Sequence, residues 1–154
     1  MTKIRRFKAA DVMQMQLRET DKRNLEGVDL EKHGRELELT PEAVTILTDE
    51  GEIIASVGGF VWGKTCLVFL LTGVLVEHFP LVVLKVVKKF IERGVVHGVV
   101  RFETLVSCDD ARAVRFIEHL GFEREGLCRA TGDNLQDRYM YALIRMPSVV
   151  AEVK

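Results

Sequence analysis

Asp110-Ala111-Arg112-Ala113-Val114-Arg115-Phe116-Ile117-Glu118-His119-Leu120-Gly121-Phe122 is the stretch that decides the fold. Asp109 or Asp110 offers the short acceptor side chain that a helix N-terminus needs, and Gly121 tolerates the left-handed backbone that commonly ends a helix. A helix running to Leu120 is predicted between them, with Phe116 and Leu120 packing it under a sheet. Residues 99–106 before it read as a strand. Residues 124–129 and 136–144 after it read as a hairpin turning over Thr131-Gly132-Asp133-Asn134.

Upstream of residue 99, residues 80–93 form the clearest helix. Lys85, Lys88, Lys89 and Glu92 fall on one solvated stripe, while Val82, Val83, Val86, Val87, Phe90 and Ile91 cover the rest. Pro80 suits the first helical position and Gly94 the residue just past the end. Before this helix lies a meander: residues 43–48, a turn at 49–52, residues 53–62, a turn at 63–65, and residues 66–76. Gly58 and Gly59 inside the second strand imply a bulge or a close backbone approach. The third strand is almost continuously apolar, which places it centrally, covered on both faces. At the start, residues 4–7 read as a strand and residues 10–18 as a helix, and a short helix is predicted at 30–35 within a charge-dense segment. The order is β-α-α-β-β-β-α-β-α-β-β. It predicts an α/β domain over residues 1–147, with one mixed, mostly antiparallel sheet and helices on both faces, and a loose tail at 148–154.

The 110–122 segment resembles the N-x-x-A-x-x-[LF]-Y-E-x-L-G-F run of the GNAT superfamily, the acyl-CoA-dependent N-acetyltransferases. It matches at Ala113, Phe116, Glu118, Leu120, Gly121 and Phe122. Glu123-Arg124-Glu125-Gly126 looks like the family's continuation into the next strand. Ile4-Arg5-Arg6-Phe7, followed by Ala9-Ala10-Asp11, looks like its opening strand and acid-capped helix. The resemblance spans residues 4–145. It implies acetyl-CoA as cofactor, with the pantetheine arm pairing to the backbone of Leu75 and Val76. It further implies a pyrophosphate at the start of the long helix near Leu81 and Val82, Lys85 reaching toward phosphate, and Asp110 standing where the family has a capping Asn.

Three departures from the pattern bear on function. The family's [RQ]-x-x-G-x-[GA] phosphate loop is replaced by Val76-Glu77-His78-Phe79-Pro80, which lacks both Arg and Gly. Pro80 removes an amide donor, and Glu77 sets a negative charge where a pyrophosphate would sit. Ile117 stands where the family often has the Tyr that protonates the leaving thiolate. Such a short, glycine-free junction before a basic helix is similar to divergent GNAT-like proteins of bacteriophages, some of them virion-associated.

The implied function is transfer of an acetyl group to a small-molecule or protein amine, with weak acetyl-CoA binding. The alternative is a non-catalytic GNAT-fold structural or partner-binding protein, phage-encoded or carried in the virion; a homodimer or a virion partner is left open. Glu77 and Glu103 are the candidate general bases, the latter alternating with Phe102 and Thr104 so as to face a cleft. Tyr139, with Tyr141 on the same side of its strand, is the candidate proton donor. The plainer readings are an exposed loop acid for Glu77, packing for the tyrosines and a solvated helix face for Lys85.

Composition narrows the classes further. A net charge of −1 gives no global attraction to nucleic acid or to a membrane surface. Three cysteines without a CxxC pair argue against zinc, and with no apolar run behind the opening charges they imply a cytoplasmic location, or the virion in the alternative.

Overall fold

The computed structural model describes residues 1–147. Seven strands, β1 (Thr2–Arg6), β2 (Val44–Thr48), β3 (Ile53–Trp62), β4 (Thr65–Thr72), β5 (Arg101–Ser107), β6 (Glu123–Thr131) and β7 (Gln136–Ile144), form one sheet in the order β1-β2-β3-β4-β5-β7-β6. All neighbours are antiparallel except β4 and β5. The helices are α1 (Asp11–Gln14), α2 (Glu19–Asn24), α3 (Leu30–Glu38), α4 (Pro80–Val96) and α5 (Ala111–His119). The α/β class and the mostly antiparallel sheet are as expected. The tail at 148–154 lies outside the described residues.

One face of the sheet is covered by α4 and α5, whose Val83, Val87 and Ile117 pack with Phe102, Tyr141 and Leu143. The other is covered at its β1–β4 end, where Phe7, Val12, Met15, Leu37 and Leu71 cluster. Burial of this size is the main favourable term in folding. In α5, Asp110 accepts a hydrogen bond from the Ala113 N–H at 3.1 Å, and Gly121 takes φ 97° just past the end. Leu120 and Ile117 are buried, whereas Phe116 is half-buried and looks into a cleft.

The helix expected over residues 10–18 ends at Gln14, where Met15 turns extended, and other elements differ as well. A helix, α2, forms in the charged segment read as irregular. β4 stops at Thr72 rather than Val76, and a 3₁₀ turn follows at Val74–His78. Gly73 stands at the bend, where a Cβ would lie a tight 3.2 Å from the carbonyl oxygens of Gln16, Ile53 and Ile54. α4 runs through Gly94 to Val96, and the left-handed residue is Gly98 at φ 95°. Gly94 serves packing instead, since a Cβ would lie 2.9 Å from the Phe102 ring. Gly58 and Gly59 likewise mark close approach, with a Cβ meeting the Phe69 ring and Cys66 Sγ at 2.5 and 2.4 Å; the bulge lies elsewhere, between Ile46 and Leu47.

A polar node ties β1, α1, β2 and β3 together. Asp11, only 1% exposed, accepts from Arg5 Nη1 and Nη2 at 2.9 and 2.8 Å, from the Lys8 N–H at 2.9 Å and from Thr45 Oγ1 at 2.7 Å. Thr45 in turn meets Ser56 Oγ at 2.8 Å. Burial pushes the Asp11 carboxyl upward, but these donors and the Arg5 charge outweigh it and hold the group below its ordinary 3.8. A depressed folded-state value gives stability that is present above 3.8 and lost as pH falls through the folded value. Asp11→Ala, which strands these donors, is expected to destabilise by about 3–5 kcal/mol at pH 7. Denaturant unfolding of both proteins across pH should show the difference shrinking below pH 3.8.

Candidate active site

The site originates in the parallel pair. β4 and β5 are joined only at Thr65↔Arg101, Cys66↔Phe102 and Leu67↔Glu103. Beyond that the strands part, with Thr104 Oγ1 donating to the Val68 carbonyl at 3.2 Å at the fork. Alternation along β4 turns the N–H and C=O of residues 68, 70 and 72 away from β3, toward the gap. Backbone groups freed in this way must find other partners. At Thr72 the carbonyl accepts from the Arg18 N–H at 3.1 Å, and the N–H donates to Asp21 Oδ2 at 3.1 Å. The Thr72 hydroxyl donates to the same oxygen. Leu70 lies between, its polar backbone edge on the open cleft.

The cleft encloses about 660 Å³, within the range typical of small-ligand sites. The starts of α4 and α5 form one wall, with Val76, Glu77, Pro80, Val83, Arg112 and Phe116. The opposite wall is polar: Arg18, Asp21, Asn24 and His33 from the α1–α3 region, with Ser107 from β5 and Arg138 from β7. Arg18 Nη2 lies 3.4 Å from Asp110 Oδ1. Burial, helped by the neighbouring Asp110 charge, drives the Asp21 carboxyl above its ordinary 3.8 despite the opposing Thr72 bonds and Arg18 charge. Burial also drives His33 below 6.5, opposed by the Glu36 charge. Asp21 and His33 are therefore both shifted toward neutrality.

The residues singled out in the sequence land in different places. Glu77 lines the cleft and is ion-paired with Arg112, so its charge is compensated across the gap between α4 and α5. Glu103 sits at the last position where β5 pairs with β4. It is not among the cleft-lining residues, and it bonds Arg101 Nε at 2.7 Å in a network that reaches Glu125. Tyr139 lies under the Arg124 guanidinium, 3.7 Å from its ring centre. Tyr141 is fully buried, donating to Glu118 Oε2 at 2.7 Å. Neither tyrosine lines the cleft. Leu75 and Val76 belong to the 3₁₀ turn, where the Val76 N–H and C=O are spent on Gly73 and Phe79 at 3.1 Å. Leu81 and Lys85 are exposed on α4, Val82 is half-buried, and Asp110 caps α5 beside Arg18. Asp21, His33 and Arg138 were missed, because the 19–39 segment has no motif and only the fold brings β7 against α2.

The residues fit an acyl-thioester arm better than a diphosphate. Leu70 offers the open strand edge that a pantetheine arm needs. At the start of α4, Pro80 has no N–H and the Val83 N–H bonds the Phe79 carbonyl at 3.2 Å, which leaves the amides of Leu81 and Val82.

No family model and no curated protein sequence matches the chain. Solved structures match it over nearly its whole length. The ribosomal-protein-S18-alanine N-acetyltransferase of Escherichia coli superposes at TM-score 0.70 with 17% identity, covering 97% of each chain. Ard1 of Thermoplasma volcanium gives 0.75 at 12% identity, covering 95% of this chain and 99% of its own. A GCN5-related N-acetyltransferase of Kribbella flavida gives 0.70 at 13%, covering 94% and 98%. The fold is the GNAT fold.

The raised Asp21 carboxyl has a measurable consequence. The folded state binds this proton more tightly than the unfolded chain, so the group costs stability as pH rises above 3.8. Asp21→Asn keeps an acceptor for Thr72 and removes that cost. Its unfolding free energy at pH 7 should exceed that of the unmodified protein, with the gain gone below pH 3.8.

Proposed function

We propose that this GNAT-fold chain transfers an acyl group from an acyl-CoA to an amine within the cleft between β4 and β5. The observation that carries this reading is the parting of the two strands after Leu67 and Glu103, which leaves the Leu70 backbone edge open on a cleft of about 660 Å³. The GNAT fold of the neighbouring structures supports it. When bound, acyl-CoA supplies an activated carbonyl and a thiol leaving group.

Each wall has its part. Leu70 aligns the arm along β4. Leu81 and Val82 present the helix-start amides, and Arg112 offers a guanidinium to phosphate once released from Glu77. Val83, Phe116 and Ile117 exclude water from the α4–α5 side. His33, whose imidazole burial shifts below its ordinary value, takes the proton from the attacking amine. Asp21 positions the end of β4 through Thr72 and balances Arg18. Holding amine and carbonyl together in this cleft supplies much of the rate.

Two outcomes are expected. In a thiol-release assay, kcat/KM should fall on the acid side with a midpoint below 6.5, the ordinary imidazole value. His33→Asn should lower kcat by about 10² or more and abolish that limb. An unchanged profile in the variant removes His33 from the reaction.

Cofactor affinity follows from the α4 start. Each lost charge-assisted bond is worth about 1.5–3 kcal/mol, and a typical micromolar cofactor about −8 kcal/mol. Calorimetric titration should therefore give a Kd for acetyl-CoA weaker than about 100 μM. Glu77→Gln, which removes a repelling charge and frees Arg112, should tighten it. A second reading, a binding module without catalysis, is favoured by the Glu77–Arg112 pair closing the phosphate end of the cleft. Absence of both acetyl-CoA binding and thiol release in Glu77→Gln would select it.

A further inference from the structure

The cleft contains three guanidinium groups, and two of them have carboxylate partners. Arg18 faces Asp110 at 3.4 Å, and Arg112 faces Glu77. Arg138 has none among the described residues. Its Nη1 donates to Thr131 Oγ1 at 2.8 Å, and its Nη2 makes long contacts with Asn24 Oδ1 at 3.3 Å and Asn134 Oδ1 at 3.4 Å. All three partners are neutral, and the side chain is half-buried in the cleft lining. A guanidinium carries five donors in a planar fork suited to a carboxylate, and burying its charge without a counter-ion is costly.

The surroundings place this group with respect to the reaction. Arg138 pairs across the strands with Ser107, whose hydroxyl is held by Asn24 at 3.0 Å. Asn24 lies three residues after Asp21 on α2, so the two share one helix face about 5 Å apart along the axis. Asp21 Oδ2 is taken by Thr72, while no bond to its Oδ1 is recorded among the described residues. One side of the cleft thus sets an acidic oxygen, a neutral amide and an uncompensated guanidinium in sequence.

We propose that Arg138 is a specificity-determining residue that binds a carboxylate on the acceptor, so that the amine acceptor is a small amino acid with its nitrogen toward Asp21 and His33. This rests on the transferase reading for the word acceptor, but the carboxylate site itself does not.

The test uses the full chain without acyl-CoA at pH 7. Binding of 4-aminobutyrate, butyrate, butylamine, butyramide and inorganic phosphate is followed by chemical shifts of the cleft residues. 4-Aminobutyrate and butyrate are expected to bind, at least tenfold more tightly than butylamine and butyramide. Arg138→Gln should weaken both carboxylates at least tenfold, and Arg138→Lys, which keeps the charge but loses the fork, by less. Because Arg138 also ties Thr131 and Asn24, the comparison of butyrate with butyramide on the unmodified protein stands independently of any variant. Equal binding of those two overturns the proposal, as does undiminished carboxylate binding in a folded Arg138→Gln. Phosphate binding more tightly than butyrate overturns the carboxylate assignment. Thiol release from acetyl-CoA with butylamine but not with 4-aminobutyrate overturns it too while leaving the transferase reading intact. Arg138-dependent carboxylate binding without transfer to any amine sinks the transferase reading alone.

Discussion

Everything functional in this molecule depends on β4 giving up its partner. The strand is bonded along one edge to β3 throughout, but along the other to β5 for only three residue pairs. Peptide groups past that point need partners elsewhere, and residues 16–21 provide them. The Val74 N–H bonds the Gln16 carbonyl at 2.8 Å, Gly73 bridges Leu17, and Thr72 is held by Arg18 and Asp21. The segment between α1 and α2 therefore substitutes for a strand at the end of β4. β5 is freed to continue alongside β7, and the gap between them becomes a cleft rather than a sheet.

The same substitution sets the electrostatics. To reach Thr72, Asp21 must be drawn in until it is half-buried, and the desolvation raises its carboxyl. Arg18 follows it in and is shared with Asp110, the cap of α5, so one small group of charges locks α2, β4 and α5 together. On the opposite wall, Glu77 and Arg112 pair in an exposed setting, where an ion pair contributes up to about 1 kcal/mol and readily exchanges for another partner. The firm side of the cleft is thus the Arg18–Asp21 side and the yielding side is the Glu77–Arg112 side. That order is the reverse of a glycine cradle, whose amides are preset.

Glu118 shows how a matching motif residue can belong to the scaffold. It receives the hydroxyl of Tyr141, which Arg124 also contacts at 2.9 Å. The helix carrying the motif is thereby bound to the last hairpin. Ile117, beside it, fills the core and cleft wall with hydrocarbon where a hydroxyl would otherwise be available.

Local signals were enough for the succession of seven strands, the α5 cap at Asp109 or Asp110 with its stop at Gly121, the Pro80 start of α4 and the meander of β2, β3 and β4, but not for α2. Each of these depends on backbone chemistry within a few residues, which sequence carries directly. Gly73 and Gly94 were not legible, because their role is to admit a carbonyl or a ring from elsewhere in the chain. Of the candidate residues, Glu77 and Pro80 line the cleft, both adjoining a helix terminus that sequence locates. Asp21, His33 and Arg138 were invisible: they lie far apart along the chain and carry no spacing rule. The sequence by itself determined which segments become the seven strands and four of the five α-helices, and that the sheet is mixed and mostly antiparallel. Only the tertiary structure decided which charges are buried together and which are left without a partner, because desolvation and pairing depend on distances through space, and those are set when α2, β5 and β7 meet.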